Sequence, residues 1–138
     1  YSNDAGATWN ALPDDPAHER YGDETQFVER FRIKPGTCSG CRVARVWTAN
    51  HGGTVAVSGW FFRAEPMSSR LHAAVIGPNG FNQTWEATGT DPATGAPSWI
   101  SPDGRLTDSP GQEIRFEVHN TGGGDSGVLN WVPGVAVL

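Results

Sequence analysis

The chain has 138 residues and a formal net charge of −5, its ten Lys and Arg dispersed among fifteen Asp and Glu. That pattern excludes the clustered basic surface with which proteins neutralise phosphates, and so argues against a nucleic-acid or anionic-membrane partner. At this length a single domain over residues 1–138 is expected, burying roughly 68% of its unfolded surface, and no apolar run approaches the length of a bilayer span.

Gly and Pro are frequent, 18 and 10 residues, but they fall between apolar runs, as turns joining short strands do. The chain begins at Tyr1 without Met or a signal peptide, as expected of a mature product or a piece of a longer polypeptide. Tyr1 to Asp15, with Trp9 among small and polar residues, reads as an N-terminal strand or loop laid across the domain. Asp14-Asp15-Pro16 is a turn signal. Glu19 to Arg32 is the best helix candidate, although the apolar positions Phe27, Phe31 and Ile33 fit a strand as well as a helix, so Gln26 to Lys34 stays open.

Cys38 and Cys41 are the only cysteines, in Thr-Cys-Ser-Gly-Cys. A zinc site needs two further ligands, and His18, His51, His72 and His119 show no paired spacing. A redox pair would open a helix, whereas this motif follows Pro35-Gly36 and leads into a strand. A structural disulfide is expected, worth ~2 kcal/mol for so small a loop and pointing to an oxidising compartment.

The stretch Arg42 to Phe62 is the centre of the chain: two runs rich in Val, Trp and Phe flank Asn50-His51-Gly52-Gly53, which reads as a β-hairpin. In its second run Val55, Val57, Gly59 and Phe61 share the core face, and Thr54, Ala56, Ser58, Trp60 and Phe62 the other. Arg70 to Gly77 is a strand with Leu71, Ala73 and Val75 inward; Pro78-Asn79-Gly80 then turns the chain into a return strand, Phe81 to Glu86. Ala87 to Pro110 is a long connection carrying Trp99. Glu113 to His119 alternates cleanly, Ile114, Phe116 and Val118 inward and Arg115, Glu117 and His119 outward. A glycine-rich loop with Asp125 leads to a last apolar strand, Val128 to Leu138, interrupted by Pro133-Gly134. Seven to nine short strands with little helix predict an all-β antiparallel sandwich or jelly roll.

Glycosidase chemistry wants a pair of carboxylates, one with a raised pKa. Glu117 on an open strand surface beside Arg115 and His119 does not suit that role. No nucleophile elbow, HExxH, phosphate loop or dinucleotide fingerprint occurs, so no catalytic residue is assigned. A small lyase using His119 with Tyr1 or Tyr21 is the enzymatic alternative.

Six Trp exceed what one core needs, and an indole held flat on a sheet suits the C–H face of a pyranose. Trp47 and Trp131 read as core. Trp60 falls out of phase with the buried set of its strand, and Trp99 lies in a Pro- and Gly-rich loop. The candidate sugar-contacting set is therefore Trp60, His72, Arg115, Glu117 and His119 on one polar face, with Trp99 from its loop.

The segments Arg45-Val-Trp-Thr-Ala49, Gly52-Gly-Thr-Val-Ala-Val-Ser-Gly59, Gly111-Gln-Glu-Ile-Arg-Phe-Glu-Val118 and Trp131-Val-Pro-Gly-Val135 resemble those of the non-catalytic jelly-roll modules appended to secreted bacterial polysaccharide-degrading enzymes. The resemblance runs from Arg42 onward, and the Cys38–Cys41 insertion departs from it. It implies a monomeric, secreted carbohydrate-binding module that takes a linked catalytic domain to its polysaccharide, commonly with a structural calcium. Asp4, Asp23, Asp91, Asp125 and Asn130 are the scattered oxygen donors available for such an ion. The alternative is a structural or interaction module packing on its parent enzyme.

Overall fold

A computed structural model describes residues 1–63, 70–87, 105–108, 110–125 and 127–137; the side chains of residues 60, 62 and 105–108 lie outside this set. The strands are β1 (Asp14–Asp15), β2 (Arg20–Gly22), β3 (Gln26–Val28), β4 (Arg32–Pro35), β5 (Cys41–Thr48), β6 (Gly53–Arg63), β7 (Leu71–Ile76), β8 (Asn82–Glu86), β9 (Arg105–Asp108), β10 (Glu113–Asn120) and β11 (Leu129–Val137). They form two antiparallel sheets, a small one ordered β5-β10-β7-β8 and a large one ordered β1-β2-β3-β4-β11-β6-β9. The expected all-β sandwich is the fold. No helix among the described residues is long and apolar enough to cross a membrane.

Alternation fills the core. Leu71, Ala73 and Val75 from β7, Ile114, Phe116 and Val118 from β10, and Val55, Val57 and Phe61 from β6 are all buried, as their period-2 spacing requires. Trp131 of β11 lies at the centre with no exposed surface, meeting Phe61 and Phe116 edge-on at 5.7 Å each. Trp47 and Trp85 pack against this cluster while staying partly exposed. Burying a large apolar side chain contributes about 1.5–3 kcal/mol, so this set, contributed by both sheets, holds the layers together.

The centre of the chain is not a hairpin. β5 pairs with β10 in the small sheet, while β6 pairs with β11 and β9 in the large one. Residues 49–52 are an arch that carries the chain across the core from one layer to the other. Both flanking runs have an apolar face, and an arch lets the two faces meet across the core instead of lying side by side. The second expected hairpin is present: β7 and β8 pair around a turn in which Asn79 and Gly80 both have positive φ and Phe81 N–H donates to the Pro78 carbonyl at 3.2 Å. That is the two-residue turn that Asn-Gly favours.

The helix candidate is also replaced by strands. Glu19 to Arg32 follows a single 3-10 turn, Pro16–His18, and contains β2, β3 and the start of β4. Its Phe27 is buried between two guanidinium groups, those of Arg20 and Arg32, 5.7 and 5.6 Å from the ring centre. The long connection contains one further strand, β9, on the edge of the large sheet beside β6. Pro133 and Gly134 do not interrupt β11, whose pairing with β6 runs through them. On its other side β11 meets β4 only at Leu129 and Asn130, so Pro133 sits where a missing N–H costs no ladder bond to β4.

One end of the sandwich is closed by two turns. Cys38 and Cys41 form the expected disulfide, and the fully buried Asn120 ties that turn to the glycine-rich loop. Its Nδ2 donates to the carbonyls of Gly36 (2.9 Å) and Gly124 (3.1 Å), and its Oδ1 accepts from the N–H groups of Gly122 (3.2 Å) and Gly123 (2.9 Å). The insertion that departs from the resembled pattern therefore caps this end of the fold.

Candidate functional site

The outer face of the small sheet carries four of the six candidate contacts. His72 on β7 lies opposite His119 on β10, and Arg115 and Glu117 follow His119 at alternate positions on the same strand. Trp60 does not join them, because β6 belongs to the large sheet. Strand phase tells which side of its own sheet a residue takes, and nothing about which sheet that is. Trp60 stands opposite Val132 in the β6–β11 ladder, and Trp99 lies outside the described residues.

The surface around Glu117 is not open. Its side chain is only 1% exposed, flanked in register by Ala44 on β5 and Ala74 on β7, two residues too small to fill the space above the sheet. Three side chains close over it: Arg115 Nε donates to Oε1 at 2.9 Å, and His119 Nε2 (2.7 Å) and Arg42 Nη1 (3.5 Å) approach Oε2. Burial alone would raise the Glu117 pKa; the hydrogen bond and charge of His119, then those of Arg115, outweigh it and hold the carboxyl below its ordinary value. Glu117 is thus a buried, ionised hub with no surface to offer a ligand. His119 is also buried, whereas His72 is partly exposed, with Nδ1 3.2 Å from Thr121 Oγ1.

Arg115 leads from this hub to a cleft of about 880 Å³ at the β5 edge of the small sheet. Ala44, Arg45 and Val46 of β5 line it together with Glu113 and Arg115 of β10. The N-terminal segment supplies Tyr1 and Trp9 to Leu12; the facing lobe of the large sheet supplies Tyr21 from β2 and Val28 to Arg30 around the β3–β4 turn. A volume of this size is in the range of ligand sites. Tyr21 and Val46 are 56% and 51% exposed. Trp9 is held in place by Arg115, whose guanidinium carbon stands 5.4 Å from the indole centre, within cation–π range. Arg45 is anchored by donating from Nη2 to the Glu29 carbonyl, and burial lowers its pKa.

No protein-family model matches the chain, and no curated protein is found to match it. Three aromatic rings, Tyr1, Trp9 and Tyr21, share one cleft with the carboxylates of Glu19, Glu29 and Glu113 and the guanidinium groups of Arg30 and Arg115. Such a lining can stack on an apolar ring face and hydrogen-bond hydroxyl or carboxylate groups at its rim. Among the described side chains, Arg115 is the one expected contact that lines the cleft. Tyr1 and Tyr21 are there without His119, which is turned to Glu117 instead.

Trp9 was expected only in a strand or loop laid across the domain; its pairing with Arg115, 106 positions further on, has no local signature. No three of His, Cys, Asp and Glu converge to hold a metal among the described residues. Asp4 binds Ser2 and Thr8, Asp23 binds Thr25 and Gln26, and Asp125 faces Lys34 at 3.4 Å. Each of these three carboxylates has partners within the chain; Asp91 lies outside the described residues.

Proposed function

We propose that the domain is a non-catalytic carbohydrate-binding module that holds a polysaccharide in the β5-edge cleft and so keeps a linked polysaccharide-degrading domain near its substrate. The observation that carries this reading is the rigid mounting of Trp9 on Arg115 in one cleft with Tyr21 and Tyr1, beside both acidic and basic groups. The resemblance of the Arg42-to-Val135 segments to modules of secreted polysaccharide-degrading enzymes supports it, as does the disulfide, which fits an oxidising compartment. Tethering raises the local concentration of a catalytic partner even where each contact is weak.

The test is calorimetry of the isolated domain against a panel of neutral and acidic polysaccharides, followed by Trp9→Ala and Tyr21→Ala on whichever binds. Each substitution is expected to weaken binding by about tenfold or more, as loss of a central aromatic contact does. Undiminished affinity in both variants places the site elsewhere. Release of unsaturated or reducing ends by the isolated domain would instead favour the small lyase or hydrolase.

One feature favours a second reading. β5 is the outer strand of the small sheet, and on its free side, among the described residues, Arg42 alone is paired, through reciprocal bonds with Ser2 at 2.9 and 2.7 Å. An open strand edge beside exposed Val46 is also suited to a protein neighbour. A tryptophan-fluorescence change on adding the parent enzyme's adjacent domain, and none with any polysaccharide, would favour this interaction module.

A further inference from the structure

Glu117 takes no part in the cleft, yet both ends of the N-terminal segment rest on groups that it anchors. Arg115, bound at 2.9 Å, stands against Trp9. Arg42, at 3.5 Å, reaches the other way and passes beneath Gly6, where an added Cβ would lie 3.1 Å from Nη1; its backbone pairs with Ser2. The same carboxylate also meets His119 at 2.7 Å. Without its negative charge, the two guanidinium groups would share one small, poorly hydrated space, and their repulsion would drive the arginines outward.

We propose that Glu117 is a positioning residue: by fixing Arg115 and Arg42 together it holds residues 2–9 against the small sheet and sets Trp9 as the wall of the cleft. The inference rests on the proposed glycan-binding reading only for its functional consequence. The placement of Trp9 is testable without any ligand.

The variant is Glu117→Gln, which keeps the volume and removes the charge. Acrylamide quenching is compared between each protein and its Trp9→Phe counterpart, so that the difference reports Trp9 alone. In Glu117→Gln the quenching of Trp9 is expected to rise at least about twofold, with faster amide exchange over residues 2–9 and unchanged protection of β7 and β10, the pattern of a local opening. Glu117→Asp, which restores the charge on a shorter arm, should recover part of the protection. Where a polysaccharide binds, the affinity lost in Glu117→Gln should vanish in a Trp9→Ala background, because coupled residues are non-additive.

Should Glu117→Gln fail to fold, Arg115→Gln leaves Glu117 paired with Arg42 and His119 and must free Trp9 in the same way. Unchanged Trp9 quenching in a folded Glu117→Gln protein overturns the proposal, as does strict additivity with Trp9→Ala. If no polysaccharide binds the native domain but Trp9 is freed as described, the binding reading fails and the positioning role stands.

Discussion

Asn120 offers the most direct test of how the fold is closed. Its side chain, with no exposed surface, makes four hydrogen bonds, two donated to Gly36 and Gly124 and two accepted from Gly122 and Gly123. Asn120→Ala removes all four while keeping the backbone bond from Gly40 N–H to the Asn120 carbonyl, 2.7 Å long. Each lost bond costs about 1 kcal/mol net, and more where its partner stays buried and unpaired. Water can re-enter the glycine-rich loop more readily than it can reach Gly36, which is buried, so the expected loss is about 3–5 kcal/mol, a large part of a typical domain's stability. Urea unfolding followed by fluorescence measures it as a shift of midpoint at constant slope. Asn120→Asp should not restore it, because the Nδ2 that donates both bonds becomes an oxygen facing the carbonyls of Gly36 and Gly124. A loss below about 1 kcal/mol would show that the two turns close the sandwich without this side chain.

Replacing both Cys38 and Cys41 with Ser should cost only ~2 kcal/mol in the same assay, and a loss above 5 would mean that the pair holds the fold and not one turn. Gly22→Ala should cost about 2 kcal/mol or more, since Gly22 has φ 104° and a Cβ there would lie 2.1 Å from the Gln26 carbonyl oxygen and 2.9 Å from Phe27 Cα, both backbone atoms; amide exchange over β2 and β3 reports it, and native-like protection there would refute the steric argument. Stability should fall in acid. Glu117, Asp15, Asp23 and Asp125 have folded pKa values below their ordinary ones, and Asp4 is lowered to about 2. Groups depressed in this way stabilise the fold above their unfolded pKa and lose that contribution as pH falls through the folded value. Unfolding midpoints should therefore hold from neutrality to about pH 5 and drop between about pH 4 and 2. The drop should be shallower in Glu117→Gln, and a flat profile would show that the ion cluster contributes nothing.

What could be read in advance follows from the range of each force. Side-chain alternation is local, so the inward sets of β7, β10 and β6 were legible residue by residue, as was the Asn79-Gly80 turn, where positive φ selects the residues. Strand partnership is not local. Asn50-His51-Gly52-Gly53 carries the same glycines whether it turns a strand back on its neighbour or lifts it over the core, and only the fit of the layers decides between them. The Gln26-to-Lys34 stretch was ambiguous for a related reason: its Phe27, Phe31 and Ile33 suit either period until β3 and β4 pair.

The same distinction explains the site. The outward phase of Arg115, Glu117 and His119 was legible, but whether Glu117 met water depended on Arg42, 75 positions earlier and brought beside it by β5. A carboxylate with small residues on both neighbouring strands, Ala44 and Ala74, makes a depression instead of a display, and longer cations close it. That changes where recognition can occur. Over Glu117 the polar face expected to meet a sugar is closed by its own side chains, and Arg115 reaches from it to Trp9 in the cleft. Binding at this edge would then depend on an acid that no ligand touches, and its sensitivity to Glu117 would exceed that to the partly exposed His72.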